Sequence, residues 1–184
     1  FWVSSPAWEN FSRALEAIPF WSMLKNSIIV TLGVLICQAV TVIPAAYAFA
    51  RLRFKGRSVL FGMTLATMMI PAQLIFLPVF LMFSSAGLIN SYASLILPHA
   101  TTLITLALLT LITTWSDYFW PFVMTTDKAV RTLPVGISML RIVDGGVQYP
   151  LLMAGNVVLV IPVLIVFFAA HRHIIKAFTY MGDK

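Results

Sequence analysis

Long stretches of apolar residues divide this chain, and short groups of polar and charged residues separate them. Residues 26–50 contain no charged side chain, residues 58–116 contain no Asp, Glu, Lys or Arg over 59 positions, and residues 145–170 contain none over 26. Because about 20 apolar residues cross a bilayer as a helix, each stretch is long enough to span a membrane. The longest stretch is too long for one span and predicts a turn at the small and polar residues 84–91.

The apolar stretches predict helices rather than membrane β-strands. Barrel strands alternate apolar and polar residues, whereas residues 28–36 and 157–168 are apolar on nearly every face. A helix also satisfies its own backbone polar groups inside lipid. The predicted fold is therefore an all-α, polytopic transmembrane helical bundle. Its predicted spans cover residues 24–50, 58–83, 92–124 and 150–170.

Two segments lie outside these spans. In residues 1–21, apolar side chains recur at helical spacing from Trp8 to Ile18, which predicts a short amphipathic helix. This helix lies in the headgroup layer outside the cytoplasm or docks against the transmembrane domain, residues 22–184, and both interpretations stay open. Residues 125–149 are polar and contain several Pro and Gly residues, which predicts an extramembrane loop.

Composition supports a membrane protein and excludes several other classes. Hydrophobic residues make up 60% of the chain and charged residues 10%, whereas soluble domains carry about 25% charged residues. Mean hydropathy is +0.96. A soluble globular enzyme, a disordered tail and a disulfide scaffold are excluded, the last because Cys37 is the single cysteine.

The positive charge is concentrated at one place. Four of the 12 basic residues fall within seven positions between two apolar stretches. They are Arg51, Arg53, Lys55 and Arg57. This placement is typical of a cytoplasmic loop under the positive-inside rule, and it predicts attraction to anionic lipid of about 1 kcal/mol per cation rather than nucleic-acid binding.

Sequence motifs for catalysis are absent. The chain contains no G-x-x-x-x-G-K-[ST] loop, no H-E-x-x-H and no cysteine cluster. His171 and His173 are two positions apart and point to different faces of a helix. We therefore predict no catalytic residues, no metal site and no cofactor bound by this chain.

One polar and aromatic group stands out at the end of an apolar stretch. It comprises Trp115, Ser116, Asp117, Tyr118 and Trp120. Aromatic faces stack on sugar rings, and the carboxylate and hydroxyl groups bind solute hydroxyls. A carboxylate at membrane depth usually faces a watery path, so these residues are candidates for lining a substrate pathway. An interfacial aromatic belt, with Asp117 at the water boundary, is the alternative.

The chain resembles a known family, the maltose-type permease subunits of carbohydrate ABC importers. These subunits are binding-protein-dependent inner-membrane components. No single stretch is decisive, but the matches occur in order over nearly the whole chain. They are Asn26-Ser27, residues 46–57, Met68 to Pro71, Gly87 to Tyr92, Leu95 to Pro98, Trp115 to Pro121, and Thr132 to Gly136.

The resemblance implies a bacterial multi-pass inner-membrane subunit that imports a sugar or related polar solute. It implies four kinds of partner: a second permease, two ATPase subunits that bind ATP and Mg, an extracytoplasmic solute-binding protein, and membrane lipid. It also places five residues in a loop that contacts the binding protein. These residues are Thr132, Leu133, Pro134, Val135 and Gly136.

Two departures from the family pattern are visible. Members begin with a further span, and they carry a Glu-Ala-Ala coupling loop that docks the ATPase. Neither is found here, and the loop is expected at an apparent gap between residues 100 and 101, so that residues 92–124 join parts of two spans. We interpret this as an incomplete chain rather than a natural loss of coupling.

Two other functions stay open as alternatives. One is a non-transport membrane scaffold or assembly subunit. The other is a fragment of a secondary transporter, which usually carries ionisable residues near mid-membrane. The 59 positions without Asp, Glu, Lys or Arg argue against the second alternative.

Overall fold

A computed structural model describes residues 8–67, 72–99, 107–143 and 146–179 of the chain. Within these ranges the backbone forms nine α-helices. They are α1 (Glu9–Ala17), α2 (Phe20–Arg51), α3 (Arg57–Thr67), α4 (Ala72–Ser85), α5 (Tyr92–Ile96), α6 (Ala107–Trp115), α7 (Phe119–Met124), α8 (Leu133–Met139) and α9 (Tyr149–Thr179). The two-residue strands β1 (Ile142–Val143) and β2 (Gly146–Val147) pair antiparallel. The all-α fold is confirmed apart from this small hairpin.

Two of the described helices are long and apolar enough to cross a bilayer. One is α2, with 32 residues, and the other is the Tyr149–Ala169 part of α9. In α2, large apolar side chains such as Ile36 and Val40 are more than 60% exposed. Continuous apolar surface of this kind suits contact with lipid or with a partner helix.

The predicted span 58–83 corresponds to α3 and α4, with residues 68–71 between them outside the described part. At the predicted turn, 84–91, α4 ends at Ser85 and α5 begins at Tyr92, with turn residues between the two helices. Gly87 (φ +67°) and Asn90 (φ +61°) adopt left-handed conformations in this turn. Gly and Asn tolerate that region better than other residues.

The predicted span 92–124 is not one continuous helix in the described residues. It contains α5, a 3-10 turn at Leu97–His99, α6 and α7. Residues 100–106 lie outside the described part, so the apparent gap at 100/101 falls there and stays a prediction.

The segment 125–149, which the sequence predicts to be an extramembrane loop, contains short regular elements, and its position outside the membrane stays a prediction. It contains α8, in which Leu133, Val135 and Ile137 are buried. Pro134 occupies the first turn, where its missing N–H costs nothing. Gly136 leaves room for the Met23 sulfur of α2, so its missing side chain serves close packing rather than a turn.

The N-terminal amphipathic helix is present as α1, and it docks against α9. Ala14 and Ile18 are buried in a core cluster with Leu151 and Ala154, whereas Trp8 is 71% exposed. The side of the membrane on which α1 lies stays a prediction. A second core cluster is built from Val30, Val34, Leu95 and Met124.

Candidate functional site: a polar pair at the α6–α7 junction

Asp117 lies in the short connection between α6 and α7. Its Oδ1 accepts a hydrogen bond from the Trp120 backbone N–H at 3.3 Å. Asp is favoured just before a helix because its carboxylate satisfies an otherwise unpaired amide of the first turn. This bond fixes the carboxylate while leaving Oδ2 available.

His99, at the end of the 3-10 turn, faces the same carboxylate. Its Nε2 lies 3.7 Å from Asp117 Oδ2, and the two side chains are 31% and 25% exposed. That separation is longer than a direct hydrogen bond. We call His99 and Asp117 the polar pair. Sequence reasoning did not include His99 in the site, although it is the one histidine in a stretch without Asp, Glu, Lys or Arg.

Trp120 forms one wall beside the polar pair. Its Nε1–H donates to the Ser94 carbonyl oxygen at 2.8 Å, which ties α7 to α5. Its ring packs edge-on against the His99 ring, with centroids 5.8 Å apart, and against Phe76 of α4 at 5.5 Å. The indole N–H is therefore occupied, and Trp120 offers its ring rather than its polar atom.

Gln38 of α2 holds the other side of the pair in place. Its Nε2 donates to the His99 carbonyl oxygen at 3.0 Å, and the side chain is buried. A buried amide with a well-placed partner stabilises one local arrangement. Helices α2, α5 and α7 thus all contribute contacts to the position of the pair.

The structure does not bring all five predicted pathway residues together. Trp115 is only 6% exposed, and its Nε1–H donates to the Leu159 carbonyl oxygen of α9 at 3.0 Å. It therefore belongs to the core between α6 and α9. Ser116 is exposed, and Tyr118 is exposed with its ring stacked on Phe122 at 5.2 Å.

The five residues predicted to contact a binding protein are buried. Thr132 is 4% exposed, and its hydroxyl has no hydrogen-bond partner among the described residues. The residues Leu133 to Gly136 belong to α8 and are buried within the protein. They therefore expose no side chain to a partner. The exposed neighbours in this region are residues 126–129. The contact itself stays a prediction.

A buried asparagine connects α2 to this region. Asn26 Nδ2 donates to the carbonyl oxygens of Ala129 and Arg131 at 2.8 and 2.9 Å, and its Oδ1 accepts from the Tyr92 hydroxyl at 2.7 Å. The next residue, Ser27, accepts from the Leu133 backbone N–H at 2.7 Å. These bonds fix the start of α8 against α2.

The basic residues lie where α2 passes into α3. Arg51 ends α2, Arg57 begins α3, and both are exposed, as are Arg53 and Lys55 between them. Gly56 turns the backbone with φ +85°. Their orientation toward the cytoplasm stays a prediction. In the described part of the chain, no three His, Cys, Asp or Glu side chains come together as a metal site.

Comparisons with known proteins find transport permeases. The arabinooligosaccharides transport system permease protein AraQ of Halalkalibacterium halodurans is 24% identical, with 92% of this chain and 76% of that protein covered. The sn-glycerol-3-phosphate transport system permease protein UgpE of Salmonella typhi is 23% identical, with 92% and 76% covered. The trehalose/maltose transport system permease protein MalG of Thermococcus litoralis is 25% identical, with 93% and 79% covered.

The match to AraQ extends over 213 residues, although this chain has 184. The matched region of that relative is therefore longer than the whole chain, and the position of its additional residues stays a prediction. No protein-family model matches the chain. The relatives are transporter subunits and not enzymes themselves. The homologues of this chain, similar over most of its length, are thus sugar ABC transport permeases, which is consistent with a maltose-type permease.

Proposed function

We propose that the chain is a permease subunit of an ATP-driven importer for a sugar or related polar solute, and that it is a multi-pass protein of the bacterial inner membrane. The observation that carries the proposal is the similarity to transport permeases over 92–93% of the chain. The two long apolar helices supply membrane-spanning elements that such a subunit needs.

The subunit works with partners that supply energy and solute. A second permease completes the passage, two ATPase subunits bind and hydrolyse ATP with Mg, and an extracytoplasmic binding protein delivers the solute. The basic residues between α2 and α3 face the cytoplasm, where anionic lipid attracts them. The exposed residues 126–129 lie next to buried α8 and face the binding protein.

The polar pair faces the passage. The partial exposure of His99 and Asp117 leaves both side chains within reach of a solute. Ser116 and Tyr118, the neighbours of Asp117 in the sequence, are exposed, and Trp120 adds an aromatic wall beside His99. The relatives' names give two kinds of cargo, uncharged oligosaccharides and a phosphate ester, and the passage proposed here accepts a solute from this range.

Co-purification tests this function. The tagged chain is expressed with a second permease, an ATPase and a binding protein from its source organism, and purified from detergent-solubilised membranes. Since the coupling loop is expected at 100/101, a parallel preparation carries the corresponding loop of the Halalkalibacterium permease at that position. We expect the ATPase to co-purify, and solute-loaded binding protein to stimulate ATP hydrolysis more strongly in the loop-bearing preparation.

Two results contradict the proposal. If neither preparation retains an ATPase, a scaffold or assembly role is the better description. If the chain alone moves solute in vesicles under an ion gradient without ATP, it acts as a secondary transporter.

A further inference from the structure

We propose that one exposed side of α2 is a lipid-facing surface that spans the whole bilayer, and that no helix of a second permease covers it. We call this surface the α2 stripe. The inference rests on the membrane location in the proposed function, and it names the partner of a surface that has no role there. The residues of the α2 stripe are Ile28, Leu32, Ile36, Val40 and Ile43.

The α2 stripe occupies one side of the helix. Its members recur every three or four residues, which places them on the same face, and each is between 42% and 68% exposed. Large aliphatic residues outside and polar residues inside reverse the pattern of a helix on a soluble protein. The exposed side therefore suits an apolar surrounding rather than water. The buried polar residues on the other side of α2 are Asn26, Ser27, Thr31 and Gln38.

Aromatic and basic residues lie at both ends of the α2 stripe. Trp21 and Lys25 precede it, Tyr47 and Arg51 follow it, and all four side chains are exposed. At a rise of about 1.5 Å per residue, Lys25 and Tyr47 are about 33 Å apart along the helix, and the outer two residues about 45 Å. A bilayer has a hydrocarbon core of about 30 Å, and measures about 40–45 Å with its headgroups. The stripe therefore fits the acyl chains, and its end residues fit the two headgroup layers.

The charges at both ends of the stripe favour anionic headgroups. Residues 17–116 contain no Asp or Glu, and among the described residues neither Lys25 nor Arg51 takes part in an ion pair. A lipid phosphate supplies the countercharge that the chain itself does not provide. A basic residue near an anionic membrane surface gains about 1 kcal/mol in this way.

A second helix carries an exposed aromatic residue at the same end of the fold. Met23 of α2 and Leu151 of α9 belong to one core cluster, so the two long helices begin close together. Trp21 and Tyr149 each lie two residues before these cluster members, and both rings are more than half exposed. Exposed rings at one level, on helices far apart in the sequence, are typical of the aromatic belt at a membrane surface.

The side chains of the α2 stripe argue against a partner helix as its cover. Helix interfaces in membranes are enriched in Gly, Ala, Ser and Thr, which let backbones approach closely, whereas the stripe consists of Ile, Leu and Val. Gly33 serves packing within the chain instead, because a Cβ there would meet the Ile96 side chain. The exposed small residues Ala46 and Ala50 lie beyond the stripe. Lipid acyl chains, which adapt to large branched side chains, therefore suit the stripe better.

The accessibility of a spin label to oxygen and to a nickel chelate tests the inference. Each stripe residue is replaced by cysteine, one at a time, in a Cys37→Ser background with cysteine-free partner subunits, and is labelled with a nitroxide. The complete assembly is reconstituted in liposomes of equal parts phosphatidylethanolamine and phosphatidylglycerol. Oxygen concentrates at the bilayer centre, whereas the chelate stays in water. We expect the ratio of oxygen to nickel collisions to be highest at Ile36→Cys, midway between Lys25 and Tyr47, and to fall toward both ends.

Lys128→Cys, in the exposed segment 126–129, is the control and is expected to show more nickel than oxygen collisions. Low rates for both reagents at Leu32→Cys, Ile36→Cys and Val40→Cys overturn the inference, because a protein helix then covers the stripe. A nickel rate above the oxygen rate also overturns it, because the stripe then faces a watery passage.

Co-purification of the ATPase is scored on the same samples, which separates this inference from the proposed function. Loss of the ATPase with the oxygen profile intact contradicts the proposed function alone. A profile without a maximum along the stripe, in an assembly that retains the ATPase and takes up solute, contradicts the lipid-facing surface alone.

Discussion

The Tyr92 hydroxyl donates a hydrogen bond to Asn26 Oδ1 at 2.7 Å, and so joins the start of α5 to a buried position of α2. The same asparagine donates to two backbone carbonyl oxygens of the segment before α8. The Asn26 side chain thus forms hydrogen bonds with three groups, the Tyr92 hydroxyl and the carbonyl oxygens of Ala129 and Arg131. Buried polar groups that lose their partner carry a desolvation cost.

Asn26→Ala is therefore expected to lower the free energy of unfolding by about 1–3 kcal/mol or more, since it leaves these three groups without their partner. Tyr92→Phe removes one bond and is expected to cost less. Thermal and denaturant unfolding in detergent measures both, and the double variant is expected to cost less than the sum of the single ones. Asn156→Ala, at an exposed position of α9, is the control. Equal losses for Asn26→Ala and Asn156→Ala contradict this role.

Two glycine substitutions are expected to change stability in opposite directions. A Cβ added at Gly136 clashes with the sulfur of Met23, which is 1% exposed and has little space to move. Gly136→Ala is expected to cost about 1–3 kcal/mol, as overpacking does. A Cβ at Gly62 in α3 meets nothing within 4 Å, so Gly62→Ala is expected to gain about 0.5–1 kcal/mol from helix propensity.

The unfolding temperatures of the two alanine variants check this pair of predictions. If the unfolding temperatures of Gly136→Ala and Gly62→Ala shift in the same direction, the close packing of Gly136 on Met23 does not determine stability, and the prediction is wrong. Met23→Ala in the Gly136→Ala background is expected to relieve the clash, and it adds a second readout of the same contact.

The two long helices could be predicted because an uninterrupted apolar stretch such as residues 26–50 has few alternatives to a spanning helix. Burial of α8 could not be predicted, because Pro134 and Gly136 are residues typical of turns. Only the structure shows that Gly136 allows close packing against Met23. The Asp117–Trp120 contact follows from the local preference of Asp for helix starts.

The proximity of His99 and Asp117 is different, because it depends on how α5 and α7 pack. No periodicity or spacing in the chain encodes such a tertiary contact. Trp115 illustrates the same limit: an indole at the end of an apolar stretch has the same sequence signature whether it faces a passage or, as here, the α9 backbone.

Asn90 organises the turn before α5. Its Oδ1 accepts from the backbone N–H groups of Thr126 and Asp127 at 2.6 and 3.0 Å, and its Nδ2 donates to the Thr126 hydroxyl at 2.8 Å. Asn90→Gly keeps the left-handed backbone accessible but removes these bonds. We expect faster amide hydrogen exchange at residues 126 and 127, because both amides lose their acceptor.

Asn90→Ala removes the same bonds and also places an alanine at φ +61°, which adds about 1–2 kcal/mol of strain. We therefore expect a lower unfolding temperature for the alanine variant than for the glycine variant. Parent exchange rates at residues 126 and 127 in Asn90→Gly contradict the proposed role of the side chain.

The substitution Trp115→Phe tests whether Trp115 is a core residue or lines the substrate pathway. The substitution removes the N–H that donates to the Leu159 carbonyl oxygen and leaves a gap beside α9, so we expect the free energy of unfolding to fall by about 1–3 kcal/mol. Because the ring is only 6% exposed, the KM for solute uptake is expected to stay at the parent value. Trp21→Phe, at a side chain that is 77% exposed, controls for loss of an indole and is expected to change neither quantity. A raised KM with an unchanged unfolding temperature in Trp115→Phe places that ring in the passage, as the sequence alone predicts, and contradicts its assignment to the core.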